Sequence, residues 1–329
     1  MTDVSGAVVE FISTSRRRVD QLLADLEHRQ DPVGLYGPVR HILQSPGKRI
    51  RSLLTLSSAA LYDAPERDAA SIALAMEVFH SFTLVHDDIM DGAEERRGRA
   101  AVHVKWDDPT AILCGDYLMG LSMELVSDVE SPRRRELTRR FLATVRTLCE
   151  GQIRDMQFER EMDVPLRDYM QMIGQKTAAL LQTSCVLGAL LGNAPADDIE
   201  RLEAYGEHLG LAFQIQDDLL DVTASQPTWG KPVGGDLVTG KRTWLLLRAL
   251  EVTSGPERSW FQRILSNGLH PDEVPEARQR LSATGILDAA QKAVIFHSEA
   301  ARSHLEHLPK RLERDVLHQL TVQLERRVH

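Results

Sequence analysis

EVFHSFTLVHDDIMD (77–91) and GLAFQIQDDLLD (210–221) are the stretches that decide the fold. Each is apolar sequence at helical spacing that closes on a DDxxD cluster: Asp87, Asp88 and Asp91 in the first, Asp217, Asp218 and Asp221 in the second. Residues four apart share one face of a helix, so Asp87 and Asp91 point the same way with Asp88 beside them. Like charges at that spacing repel and weaken an isolated helix. An apolar helix that carries the pattern twice is expected to hold cations there. Hard oxygen donors with no cysteine nearby select magnesium over zinc. Magnesium takes few protein carboxylates and fills its shell with water and substrate phosphate, so two such clusters facing each other would clamp a diphosphate.

Working outward, the pattern is helical almost throughout. Helices are expected at 5–28, from Pro38 to about Ser45, and at 49–61, 68–91, 109–128, 132–160, 166–192 and 196–222. Further helices are expected at 241–253, 256–267, 271–283, 286–307 and 309–327. Pro32, Gly34, Gly37 and Pro38 mark a break, 92–98 reads as a charged loop, and 226–235 as a loop rich in Gly and Pro. No strand-like alternation of any length occurs, and no linker separates two domains. The expectation is one all-α domain over 1–329.

Composition narrows the function. A net charge of −9 argues against non-specific nucleic-acid binding, while local basic residues leave anionic substrates open. Cys114, Cys149 and Cys185 are scattered and lack metal spacing, which reads as buried free thiols in a reducing cytoplasm. The first twenty residues lack a signal-peptide core, and no uninterrupted apolar run reaches the roughly 18 residues of a membrane span.

Around the helix axis His80 lies about 20° from Asp87 and Thr83 about 40°, so His80, Thr83, Asp87 and Asp91 share a stripe. Glu77 and His80 also fit half of a di-iron motif, but no second Glu-x-x-His exists to complete it. Lys48, Arg49 and Arg51 sit where a helix restarts after Pro46-Gly47, a place suited to an anion. Arg96-Arg97 follow the first cluster within one loop, and Lys176-Thr177, Lys231 and Lys241 lie farther on. Each alone reads as a solvated charge; beside two magnesium clusters they form a set of diphosphate ligands.

These residues stand in segments that resemble the trans-isoprenyl diphosphate synthases, the polyprenyl synthetase family. The segments are GKRIRSLLTL (47–56), EVFHSFTLVHDDIMDGAEERRG (77–98), AILCGDYL (111–118), EGQIRDM (150–156), KTAALL (176–181), GLAFQIQDDLLDV (210–222) and GKPVGGDLVTGKRT (230–243). The resemblance implies an all-α orthogonal helical bundle around a deep central cavity, a homodimer, and aspartate clusters facing across the cavity mouth. It implies magnesium on Asp87, Asp91 and Asp217, with Asp88, Asp218 and Asp221 completing or supporting those shells. Arg96, Lys176, Thr177, Gln214, Lys231 and Lys241 match allylic-diphosphate contacts. Lys48, Arg51, His80 and Arg97 match the isopentenyl-diphosphate site. The chain departs from the family at Pro46 and Ser52, where Gly and Pro are usual, and at Thr243-Trp244, where Thr-x-Pro is usual.

The implied reaction joins isopentenyl diphosphate to a dimethylallyl, geranyl or farnesyl diphosphate. Phe79, Phe82 and Thr83, one to two turns before Asp87, are the expected chain-length floor. Phe82 sits about 140° off Asp87, so helix geometry alone does not make it the floor. A bulky residue five before the first aspartate, with Thr83 at four, resembles synthases of the twenty-carbon geranylgeranyl product. Farnesyl diphosphate and long-chain products are the alternatives. A terpene cyclase would need an Asn/Ser/Glu triad in place of the second DDxxD, and a regulatory subunit would have lost aspartates or basic ligands.

Overall fold

The computed structural model describes residues 2–224 and 233–325. The described residues are helical except for loops, turns and one two-stranded hairpin. They form two compact units. The first comprises Met1–Ala143, Thr183–Glu203 and His307–Gln319; the second comprises Thr144–Gln182, Ala204–Glu306 and Leu320–His329.

In chain order the helices begin with α1 (Thr2–Ala24), α2 (Val33–Leu43), α3 (Ile50–Ala60) and α4 (Glu66–Asp91). The hairpin β1 (Glu95–Arg96) and β2 (Arg99–Ala100) follows, then α5 (Val102–Lys105), α6 (Asp108–Ser127) and α7 (Arg134–Phe158). Next come α8 (Leu166–Ile173), α9 (Ala179–Leu191), α10 (Ala196–Thr223), α11 (Gly235–Thr239) and α12 (Trp244–Val252). The chain continues with α13 (Gly255–Asn267), α14 (Val274–Ala283), α15 (Ile286–Leu305) and α16 (Leu312–Glu325).

The first unit is built around α4. Residues 72–79 of this helix are buried without interruption, so this stretch is enclosed on every side, Glu77 included. Among the described residues it is the one helix long and apolar enough to cross a membrane, yet 61% of that window is buried inside the protein. Leu74, Val78 and Val85 of α4 pack with Ala111, Cys114 and Leu118 of α6 and with Val39, Ile42 and Leu43 of α2. Gly115 of α6 leaves room for the His86 ring, which a Cβ there would strike. Glu66 and Asp68 in the first turn of α4 suit the positive end of its dipole. At the other end Gly92 adopts φ 62°, and the left-handed turn lets the Ala93 N–H reach the Asp88 carbonyl at 2.9 Å.

The second unit has its own core. Phe158, Tyr169 and Ile173 pack with Trp244, Leu245 and Leu246 of α12, Phe261 and Ile264 of α13, and Ala290 and Val294 of α15. Thr243 caps α12 by accepting the Leu246 N–H.

Most expected helices form within a few residues of their expected ends. The span 166–192 is helical, but a π-turn at Gly174–Ala178 separates α8 from α9. The charged loop after α4 folds into the hairpin, paired only at Glu95↔Ala100 and Arg96↔Arg99, too short to show alternation. Its turn residues Arg97 and Gly98 both have positive φ (56° and 73°), as a type I′ turn requires. Of the expected loop 226–235, residues 226–232 lie outside the described residues and Gly235 opens α11. Cys114 and Cys185 are buried, but Cys149 is exposed, contrary to the expectation of three buried thiols.

Candidate active site

The first aspartate cluster occupies the last turn of α4, where unsatisfied carbonyls already make the potential negative. Asp87 is half-buried and Asp91 exposed, but Asp88 is 1% exposed. Arg96 of β1 holds Asp88 through its Nε at 2.8 Å and through Nη2. Burial still pushes the Asp88 carboxyl above the usual range, against the pull of Arg96.

A second group gathers positive charge around His80. Burial first, then Arg51, Arg97, Arg96 and Arg49, hold its imidazole well below the ordinary pKa, so it is neutral at pH 7. The Thr83 hydroxyl donates to the His80 carbonyl at 2.9 Å. Arg97 Nη1 donates to the Pro46 carbonyl at 2.8 Å, and a Cβ at Gly47 would stand 2.7 Å from that same nitrogen. Gly47 thus leaves space for the ends of two arginine side chains, which a larger residue would displace. Arg49, φ 53°, pairs with Asp20 at 2.7 Å and with Glu77 at 3.6 Å. Ser52, where proline is usual, uses its N–H: the Glu77 carboxylate accepts it at 3.2 Å. The Ser52 hydroxyl donates to the Ala73 carbonyl at 2.8 Å.

Sequence reasoning missed what holds this hairpin in place. Arg99 Nη2 donates to His41 Nδ1 at 2.9 Å, and Arg99 Nη1 donates to the His41 carbonyl at 2.9 Å. A guanidinium only donates, so Nδ1 accepts and Nε2–H donates to the Ala100 carbonyl at 2.9 Å. Burial, with Arg99 and Lys105 alongside, keeps the His41 pKa below its ordinary value, the state this network needs. Its only sequence trace is one basic residue two positions beyond Arg97.

In the second unit, Asp217 is half-buried, whereas Asp218 and Asp221 are buried. Asp218 Oδ2 accepts the Tyr169 hydroxyl and the Trp244 N–H (2.8 Å), and its Oδ1 accepts Gln214 Nε2 at 3.1 Å. Burial outweighs these bonds and raises the Asp218 carboxyl to about 7. Gln214 Oε1 accepts the Thr177 hydroxyl at 2.9 Å, so a hydrogen-bonded chain runs from the π-turn to the aspartate. Asp221 Oδ2 accepts the Asp236 N–H at 3.2 Å, which anchors α11.

Lys176 lies in the π-turn, a feature that often marks functional helices. Its ammonium pairs with Asp155 of α7 at 2.6 Å. A Cβ at Gly151 of α7 would stand 2.6 Å from the Lys176 backbone nitrogen, and one at Gly210 of α10 would strike Ala178. Glycine in EGQIRDM and GLAFQIQDD thus lets two helices close on the widened turn. Asp155 stood within EGQIRDM without being singled out, and Tyr169 had no signal in the sequence. Lys241 is half-buried, its N–H bound to the Asp236 carbonyl at 2.9 Å; Lys48 is exposed; Lys231 lies outside the described residues.

Phe79 and Phe82 form an aromatic row on α4. Phe79 is wholly buried, its ring 5.3 Å from Phe82 and 5.2 Å from Phe141, and Phe82 lies 4.8 Å from His86.

The sequence pattern of the polyprenyl synthetase family matches residues 33–281, a span that includes both aspartate clusters. The chain belongs to the polyprenyl synthetase family. A short chain isoprenyl diphosphate synthase of Methanothermobacter thermautotrophicus is 37% identical over 320 residues, 96% of each chain. The crystal structure of geranylgeranyl pyrophosphate synthetase from Pyrococcus horikoshii superimposes with a TM-score of 0.91 at 32% identity, covering 98% of each chain. A polyprenyl synthase from Caulobacter crescentus, solved with calcium and isoprenyl diphosphate, gives 0.89 at 28% identity, covering 98% of this chain and 97% of that one. The all-α isoprenoid synthase fold of these relatives is the fold of this chain. As a polyprenyl synthetase the chain keeps all six aspartates of its two clusters, while Pro46 and Ser52 change the bonding of the basic loop without removing Lys48 or Arg51.

Proposed function

We infer that this polyprenyl synthetase is a short-chain prenyltransferase that joins isopentenyl diphosphate head-to-tail to an allylic diphosphate, with geranylgeranyl diphosphate as the end product. The observation that carries the reading is the gathering of Arg49, Arg51, Arg96 and Arg97 around a neutral His80, on the same helix as Asp87 and Asp91. Several cations around one neutral side chain suit a diphosphate. The names of the archaeal relatives support the product class.

Each cluster divides its labour by burial. Asp88 and Asp218 are held by protein partners and set the orientation of the helix end. Asp87, Asp91 and Asp217 stay accessible and are the carboxylates for magnesium, with Asp221 in support. Among the described residues no three His, Cys, Asp or Glu converge into a ready-made cage, which suits an ion that completes its shell with phosphate and water. The Caulobacter relative, solved with calcium, supports divalent-metal dependence. Bound magnesium would supply positive charge against the departing diphosphate.

The chain's own residues do the rest. Arg96, Lys176, Thr177, Gln214, Lys231 and Lys241 hold the allylic diphosphate and oppose the charge that grows as it leaves. Lys48, Arg51, His80 and Arg97 hold isopentenyl diphosphate, whose double bond attacks the allylic carbon. Loss of a proton, taken by the released pyrophosphate, completes the product. No side-chain nucleophile is required. Phe79 and Phe82 exclude water and limit the tail, with Thr83 above them. The protein acts as one domain, a homodimer in the cytoplasm, and three free thiols fit a reducing compartment.

The test is product analysis with magnesium, isopentenyl diphosphate and dimethylallyl, geranyl or farnesyl diphosphate, followed by dephosphorylation. Geranylgeraniol is the expected end product, and Phe82→Ala should extend it by at least one five-carbon unit. Farnesol alone would move the floor nearer to the aspartates. No product with any starter would overturn the synthase reading.

A further inference from the structure

The hairpin β1–β2 carries both Arg96 and Arg97, and it is anchored by residues that the proposed reaction does not use. His41 lies in the last turn of α2, and its carbonyl is one of those that a helix end leaves without an intrahelical partner. Arg99 of β2 supplies the partner. Its Nη1 donates to the His41 carbonyl at 2.9 Å and to the Ser45 hydroxyl oxygen at 3.3 Å, while the Ser45 hydroxyl donates to the same carbonyl at 3.0 Å. A cation at a helix C-terminus is also what the dipole favours. Arg99 Nη2 donates to His41 Nδ1 at 2.9 Å, and His41 Nε2 donates to the Ala100 carbonyl at 2.9 Å. One histidine thus holds β2 at two successive residues. We propose that His41 is a positioning residue for both diphosphates: through Arg99 it fixes the hairpin that presents Arg96 to the allylic diphosphate and Arg97 to isopentenyl diphosphate, roles that rest on the synthase reading.

The connectivity carries the argument. Arg99 is the register partner of Arg96, and Gly98 alone separates it from Arg97. With a two-residue turn between the strands, the place of Arg99 sets the backbone from which both substrate arginines project. Arg96 and Arg97 are themselves held at their tips, by Asp88 and by the Pro46 carbonyl, and an incoming diphosphate competes for those tips. Arg99 escapes that competition, because both its terminal nitrogens are committed to α2 and the residue that follows it. The anchor is also buried: His41 is 9% exposed, and the Trp106 ring packs edge-on against it at 5.4 Å. Lys105 of α5 brings a second cation to 3.3 Å from Nδ1. Two cations against one ring nitrogen keep it unprotonated, so Nδ1 remains the acceptor that Arg99 needs.

The experiment is steady-state kinetics of the full-length protein in magnesium with isopentenyl and farnesyl diphosphate, varied in turn. His41→Leu removes the acceptor and the donor together, and it is expected to raise both KM values about tenfold. His41→Asn is the rescue: its amide oxygen takes the place of Nδ1, and both KM values should stay within about threefold of the wild-type ones. Arg99→Met, made separately, should reproduce the double rise if His41→Leu folds poorly. A rise in both KM values that His41→Asn largely reverses supports the proposal, since loss of packing alone would not be mended by an acceptor. Either KM unchanged in both His41→Leu and Arg99→Met, or His41→Asn as impaired as His41→Leu, overturns it. Those failures presuppose an active wild-type protein, so they are distinct from failure of the synthase reading, in which the wild-type protein itself makes no product.

Discussion

At the scale of single residues, the six aspartates have two fates that their identical spacing hides. Asp218 illustrates the cost of the buried fate. It is 3% exposed, it accepts from Tyr169, Trp244 and Gln214, and its carboxyl still rises to about 7. Losing one donor leaves a buried oxygen under-satisfied at about 1–3 kcal/mol. Tyr169→Phe is therefore expected to lower the unfolding free energy by roughly that amount. It should also cut kcat about tenfold, because Gln214 and Asp217 share the helix that Tyr169 fixes. Urea melts and steady-state kinetics test this; unchanged stability would show that the Trp244 N–H suffices.

Among the elements, the π-turn between α8 and α9 decides where Lys176 and Thr177 point. A regular helix would leave them at different angles, since the π-turn inserts one residue into the ladder. Two close approaches hold the turn, at Gly151 and at Gly210. The neighbours there are backbone atoms of residues 175 and 176 and the Ala178 residue, which cannot swing aside as the end of a long side chain can. Gly151→Ala should accordingly push α7 from the turn and break the Lys176–Asp155 pair at 2.6 Å. A rise of about tenfold in KM for the allylic substrate is expected, with a loss of about 1–3 kcal/mol from overpacking. An unaltered KM would detach Lys176 from substrate binding. This turn was illegible in KTAALL because a π-turn depends on what packs against it; the helix on either side was legible from its apolar run.

For the whole molecule, metal and diphosphate are expected to stabilise the protein together rather than separately. The accessible carboxylates Asp87, Asp91 and Asp217 belong to no three-ligand cage among the described residues. Magnesium alone should bind weakly. Pyrophosphate alone should be repelled by the aspartates, although the arginines around His80 attract it. Added together at about 100 times their joint Kd, they should stabilise the fold by about 2.7 kcal/mol, visible as a raised Tm. Chelation with EDTA should abolish the shift. Additive or absent effects would contradict the proposed joint binding of metal and diphosphate.

The sequence by itself determined the all-α class, the two aspartate clusters and the basic residues that accompany them. Those signals are local: a helix shows its face within seven residues, and a DDxxD cluster is complete within five. Tertiary structure alone decided which aspartates are buried. It alone set Tyr169 against Asp218, 49 residues away, Lys176 against Asp155, 21 away, and His208 against His297, 89 away. It also turned Arg97 and Gly98 into a hairpin pinned by His41 through Arg99, 58 residues distant. Burial and hydrogen bonding of this kind arise between residues far apart in the chain. No local periodicity records them, because the free energy that fixes each side chain belongs to the contact and not to either residue alone.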